Sequence, residues 1–417
     1  MPIQLIEKRR AIEALRAGVP NRDVVKQLPP LQEDIKESFI QLLNTIQGTG
    51  DNKSNSNGLL LEGGFGTGKS HWLEYFRHVA LDANFVVSSI VLNKETPLYH
   101  LPKVYRTCVE SAVVRGKTGP ALIEIAHTYH SDQAPFYREL FDWVHGTPGL
   151  DPRFAAALQL FVNTTDLEIR QQIINDWTGY PMKVPDIRKA LRSVGETGIR
   201  VGKPMKGQEL QRFAFLSKFF KSAGYSGWLI LLDEGEFTSH YSLRQRARAY
   251  ANMAQLFGYQ SNLPELATVL TISDDYIGQV LYGGRNDREC IPLKVAKTRD
   301  AAIVPLAEQG MELILRKGRQ IRPYTSKQVD DVYNNVRRLY SDAYNWDAPD
   351  LDKRPEVLPS ERMRRYIRSW INAWDFLRLY GTSVNLVSED FNMDLDEDSD
   401  IQKDDEDLAS DSYSDVN

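Results

Sequence analysis

The run Gly63-Gly64-Phe65-Gly66-Thr67-Gly68-Lys69-Ser70 carries the clearest chemistry in the chain. It fits G-x-x-x-x-G-K-[ST] and lies between Leu59-Leu60-Leu61, a short buried-strand pattern, and an amphipathic helical pattern over residues 70–81. A polyphosphate carries several negative charges. A loop of glycines can wrap its backbone N–H groups around them at a helix N-terminus without side-chain bulk. The expected ligand is ATP with Mg2+: Lys69 reaches the β and γ phosphates, and the Ser70 hydroxyl ligates the metal. Thr67 is read as loop packing, and His71 completes the nucleotide-binding stretch. The seven histidines show no metal-ligand spacing.

A second motif, Trp228-Leu229-Ile230-Leu231-Leu232-Asp233-Glu234, is an apolar strand that ends in two carboxylates. At the carboxyl edge of a parallel sheet, Asp233 is expected in the metal shell and Glu234 as the base that polarises the attacking water, with Glu236 its competitor. A third strand, residues 266–272, ends in Thr271, Ser273, Asp274 and Asp275. Thr271 or Ser273 could sense the γ phosphate there. The acidic pair favours water activation over transfer to a small acceptor, so hydrolysis ranks above a kinase reaction. An ATP-loaded switch with little turnover is the rival reading.

Arginines could complete such a site within the chain or across an assembly. The candidates are Arg285 and Arg288 after the third strand, and Arg364, Arg365 and Arg368 at the start of a late helix. Arg244, Arg246 and Arg248 could contact phosphate backbones, although a basic helix face explains them more simply.

These residues need a scaffold, and the patterning supplies an α/β one. Residues 6–28 read as two short helices split at Gly18-Val19-Pro20, with Asn21 capping the second. A longer helix follows to Ile46, then a Gly/Asn/Ser loop over 48–58 expected to be mobile. Residues 85–92 have strand character, 208–223 are helical, and the strands alternate with helices as a parallel sheet requires. The fold class is therefore a P-loop NTPase sheet, with a helical insertion at about 97–206 and a helical lid. The expected domains are an N-terminal helical segment (1–50), a core (51–302), a lid (303–387) and an acidic tail (388–417). In the lid, Thr325 and Gln328 form a capping box, and residues 361–379 make a further helix.

Composition excludes other classes. With 417 residues and 42% hydrophobic content the chain can bury a large core, and no apolar run reaches the ~18 residues of a membrane helix. Two cysteines, Cys108 and Cys290, preclude a disulfide framework and a four-thiolate zinc site. Residues 1–10 lack an apolar secretory core, so cytoplasmic residence is expected. The tail holds thirteen carboxylates and one lysine; removing its −12 from the net −5 leaves a body of +7, compatible with nucleic-acid contact.

With these pieces placed, the chain resembles the BrxD-like ATP-binding family of the bacterial BREX phage-defence systems, P-loop ATPases similar to the AAA class. The residues that carry the resemblance are Ala11-Ile12-Glu13-Ala14-Leu15-Arg16-Ala17-Gly18-Val19-Pro20-Asn21-Arg22, the 63–70 loop followed by His71-Trp72-Leu73, Leu231-Leu232-Asp233-Glu234, and Ala343-Tyr344. The resemblance implies an ATPase subunit of an antiviral system. Its implied partners are other defence subunits (a helicase, a methyltransferase or a sensor protein) and double-stranded DNA, with self-association among the expectations. It does not extend to the acidic tail.

Overall fold

The computed structural model describes residues 3–19, 21–49, 57–128, 137–196, 198–202, 209–351 and 363–381. The acidic tail lies outside the described residues, as does most of the 48–58 loop. Five strands, β1 (Gly58–Glu62), β2 (Val86–Val91), β3 (Trp228–Asp233), β4 (Leu266–Ile272) and β5 (Gly318–Gln320), form a sheet in the order β2-β3-β4-β1-β5. Every pairing in it is parallel, as the alternation of strands and helices predicts. Parallel strands are covered on both faces, so they read as continuous apolar runs. Leu60, Ile230, Leu232, Leu270 and Ile272 enter one hydrophobic cluster, and Leu59, Leu61, Leu229, Leu231 and Val269 enter the other.

The helices before the sheet are α1 (Ile3–Ala17), α2 (Arg22–Gln27) and α3 (Glu33–Gln47). Asn21 caps α2 by accepting from the Val24 N–H at 2.9 Å. Helix α4 (Lys69–Asp82) follows β1, and its Trp72, Leu73 and Phe76 pack on the second cluster. Between β2 and β3 come α5 (Leu101–Ser111), α6 (Ala121–His127), α7 (Arg138–Gly146), α8 (Pro152–Asn163), α9 (Leu167–Thr178), α10 (Val184–Ser193) and α11 (Glu209–Ser222). These helices share the first cluster with the sheet, so one continuous core runs through both.

After β3 the chain makes a 3-10 turn (Gly235–His240), then α12 (Leu243–Leu256), β4, α13 (Asp287–Lys294) and α14 (Val304–Lys317). Strand β5 was not anticipated: it falls beyond residue 303, where a mostly helical lid was expected, and adds to the sheet beside β1. The capping box at Thr325 opens α15 (Ser326–Tyr344) as expected, and α16 (Met363–Tyr380) completes the chain's described part. Helices α15 and α16 bury Val336, Tyr340, Trp370 and Trp374 against Ala11 and Ile12 of α1, in a third cluster. The N-terminal helices and the last described helices therefore form one helical body. Arg16 holds it together, donating to both carboxylate oxygens of Asp375 and to the Tyr344 hydroxyl at 3.2 Å.

Candidate functional site

The strand order decides what meets at the carboxyl edge. Strand β4 lies between β1 and β3. Neighbouring strands sit roughly 4.8 Å apart, so the loop after β1 and the acidic end of β3 are about two strand spacings from each other. Helix α4 closes that gap: its second residue, Ser70, places Oγ 2.9 Å from Asp233 Oδ2. From the intervening strand, Thr271 donates its hydroxyl to Asp233 Oδ1 at 2.5 Å. One carboxylate thus receives side-chain donors from both neighbours, and the Glu234 N–H adds a third at 3.0 Å. Of the two β4 candidates, Thr271 faces the site, whereas Ser273 donates to Asp275.

The loop between β1 and α4 has the backbone its glycines allow. Gly68 caps α4 with φ 104°, a left-handed conformation costly to any residue with a Cβ. Thr67 Oγ1 donates back to the Gly64 carbonyl at 2.9 Å, and Phe65 points outward, 57% exposed. Lys69 is buried, donating to the Gly63 carbonyl at 2.9 Å and pairing with Glu236 at 3.1 Å. The other Glu236 oxygen, Oε2, is buried without a hydrogen-bond partner.

Glu234 adopts φ 62°, so a non-glycine residue holds a left-handed conformation beside the acidic strand end. Non-glycine strain of this kind clusters at functional sites. Burial raises its carboxyl pKa, and Glu236 and Asp233 raise it further against the opposing effect of Lys69. Close approach of β3 to β4 depends on the next residue: a Cβ on Gly235 would stand 2.5 Å from the Thr271 carbonyl.

A cavity of about 240 Å³ opens over the loop, lined by residues 65–71 and Glu234 on one side. Its other walls are apolar: Ala14, Leu15 and Val19 from the first helix and its exit, and Val332, Met363 and Ile367 from α15 and α16. Arg364 also lines it, lying against Gly18. His71 lines the cavity too, but its Nε2 contacts the Leu28 carbonyl at 2.8 Å, tying α4 to the segment after α2. Burial lowers the pKa of that imidazole, which keeps it neutral.

This apolar wall was missed from the sequence. The phrase at residues 11–22 was read as two helices and as a family signature, and nothing in its periodicity says that it faces the glycine loop. The basic triplet on α12 also differs from expectation. Arg246 is buried on Asp287 at 2.6 Å, and Arg244 and Arg248 both pair with Asp300, so all three are internally neutralised. A solvated basic face is not what they form. Arg288 pairs with Glu312, while Arg285 is exposed.

A divalent cation fits the donors present. Ser70 and Asp233 offer hard oxygens at bridging distance, the type Mg2+ prefers when it keeps waters and phosphate oxygens in its shell. No cluster of three His, Cys, Asp or Glu suited to a metal occurs among the described residues. None of their helices is long and apolar enough to cross a membrane.

Residues 3–132 match the family model described as BREX system ATP-binding protein BrxC/D. Over that stretch the resemblance read from the sequence is borne out. The matched span includes α1 and α2, which form one side of the cavity wall, the glycine loop and α4, but not α15 and α16. No curated protein and no solved structure matches the chain.

Proposed function

We propose that this chain is an AAA-like P-loop ATPase subunit of a bacterial anti-phage defence system, and that it binds and hydrolyses ATP with Mg2+ to drive or gate a DNA-associated complex. The observation that carries the reading is the 2.9 Å contact between Ser70 of α4 and Asp233 of β3, which meet where the glycine loop opens into the cavity. In this reading Gly63, Gly64, Phe65, Gly66, Thr67 and Gly68 wrap the phosphates with backbone N–H groups. Lys69 leaves Glu236 to neutralise phosphate charge. Ser70 and Asp233 hold the cation, which when bound offsets the charge that develops on the transferring phosphate.

Glu234 orients and deprotonates water, and Thr271 fixes the Asp233 carboxylate. The adenine and ribose would lie in the apolar part of the cavity, between α1 and the α15–α16 pair, with His71 at its edge. Because that wall belongs to the body formed by α1, α15 and α16, nucleotide occupancy can set its position relative to the sheet. The partners proposed for this motion are duplex DNA and other subunits of the system: a helicase, a methyltransferase or a sensor protein.

Phosphate release with and without duplex DNA, in the wild type and in Lys69→Ala, tests the reading. Turnover that disappears together with ATP binding in the variant supports it. A wild type that binds ATP and releases no phosphate in either condition would reduce it to a nucleotide-loaded switch.

A further inference from the structure

Helices α8 to α10 take no part in the nucleotide cavity, yet they are organised by a device that ATP chemistry does not use. Helix α9 ends at Gly179, whose φ of 113° turns the chain, and α10 begins at Val184 after a short turn. That turn is pinned from inside. Arg153 of α8 donates to Asp176 Oδ1 at 2.9 Å and to the Met182 carbonyl at 2.8 Å. The same Asp176 oxygen accepts the Met182 N–H at 2.8 Å. Arg153 and Asp176 are each only 5% exposed. A buried ion pair contributes little net stability, since desolvation offsets its attraction. Here it dictates the direction in which α10 leaves α9.

Helix α10 turns Ile187, Ala190 and Leu191 inward. At 100° per residue, Lys189 and Arg192 fall on the opposite face with Arg188 beside them, and Lys183 sits at the N-cap. Residues 183–202 contain five basic side chains (Lys183, Arg188, Lys189, Arg192 and Arg200), all exposed, against Asp186 and Glu196. Arg188 donates to the Val201 carbonyl, while Lys183, Lys189, Arg192 and Arg200 make no ion pair among the described residues. The contrast with α12 is informative, because all three of its arginines are satisfied internally.

We propose that α10, packed on α8, is a docking helix for duplex DNA, with Lys183, Lys189, Arg192 and Arg200 on the phosphate backbone. The proposal rests on the duplex-DNA part of the function above and is independent of the nucleotide chemistry. It commits to a duplex because a rigidly aimed helix with cations on its outer face matches a groove flanked by two phosphate rows.

The test is fluorescence anisotropy of the full chain with a labelled duplex, across a series of salt concentrations. Each neutralised phosphate contact reduces the slope of log K against log salt by about one. Lys183→Gln/Lys189→Gln/Arg192→Gln should therefore lose about three from the slope and bind at least tenfold more weakly at low salt, with ATP binding unchanged. Lys183→Arg/Lys189→Arg/Arg192→Lys should retain affinity, which separates charge from misfolding. Lys103→Gln/Lys117→Gln/Lys327→Gln removes the same charge elsewhere and should leave the slope within one unit. If the wild type binds and the α10 variant matches it, the surface is wrong and the DNA reading stands. If the wild type binds no duplex, both fall.

Discussion

Replacing Glu234 by Gln probes the site with little disturbance, because the amide keeps the side-chain shape and the same left-handed backbone. Desolvation, with Glu236 and Asp233 beside it, raises the pKa of this carboxyl, so it is a stronger base than a free glutamate. A positioned general base contributes about 10²–10⁴-fold in rate, or about 2.7–5.4 kcal/mol at ~1.36 kcal/mol per decade. Asp233 keeps its hydroxyl donors Ser70 and Thr271 in the variant, so the cation site stays intact. The expected outcome is ATP affinity equal to or tighter than wild type, since one negative charge beside the phosphates is gone, with phosphate release down by at least a hundredfold. Equilibrium binding of a fluorescent ATP analogue and a phosphate-release assay read the two halves separately. Wild-type turnover in the Gln variant would remove Glu234 from the mechanism; parallel loss of binding would make it a structural residue.

Other outcomes follow from the packing. Arg246→Met leaves Asp287, fully buried, without its guanidinium partner. This should cost about 3–5 kcal/mol and lower the melting temperature by about 3–6 °C, much of it recovered in Arg246→Met/Asp287→Leu. Gly235→Ala puts a methyl 2.5 Å from the Thr271 carbonyl and must part β3 from β4. We expect a loss of about 1–3 kcal/mol in denaturant unfolding, with turnover reduced more than ATP binding. Ala14→Phe fills the apolar side of the cavity and should weaken ATP at least tenfold, about 1.4 kcal/mol, in the same binding assay, with thermal stability little changed.

Where one residue type has one dominant use, the sequence was readable. The predominantly apolar runs of β3 and β4 read as buried parallel strands, and the glycine loop between strand and helix as a tight turn at a helix N-terminus. Capping chemistry located the start of α15 to the residue, and Asn21 did the same for α2. Strand β5 was hidden because three residues, Gly-Arg-Gln, carry no hydrophobic signal; pairing to β1 makes it a strand. Long-range pairing was equally opaque. No local pattern says that Arg16 finds Asp375, that Arg246 is buried on Asp287, or that α1 and α16 wall the same cavity. Thr271 over Ser273 was decided by where β4 ends: Thr271 lies inside the strand beside Asp233, whereas Ser273 falls past it and donates to Asp275. The family likeness extends to residue 132, so the acidic strand and the late helices rest on geometry alone.

The central claim is that the glycine loop and the β3 carboxylate act on one cation with one nucleotide. A crystal structure of the full chain with Mg2+ and a non-hydrolysable ATP analogue tests it most directly. The account predicts the metal about 2.0–2.1 Å from Ser70 Oγ, with the Asp233 carboxylate in its shell directly or through water. It also predicts Lys69 drawn off Glu236 onto phosphate oxygens, and the base between α1 and α16. A nucleotide bound elsewhere, or a metal that touches neither Ser70 nor the water shell of Asp233, would contradict it.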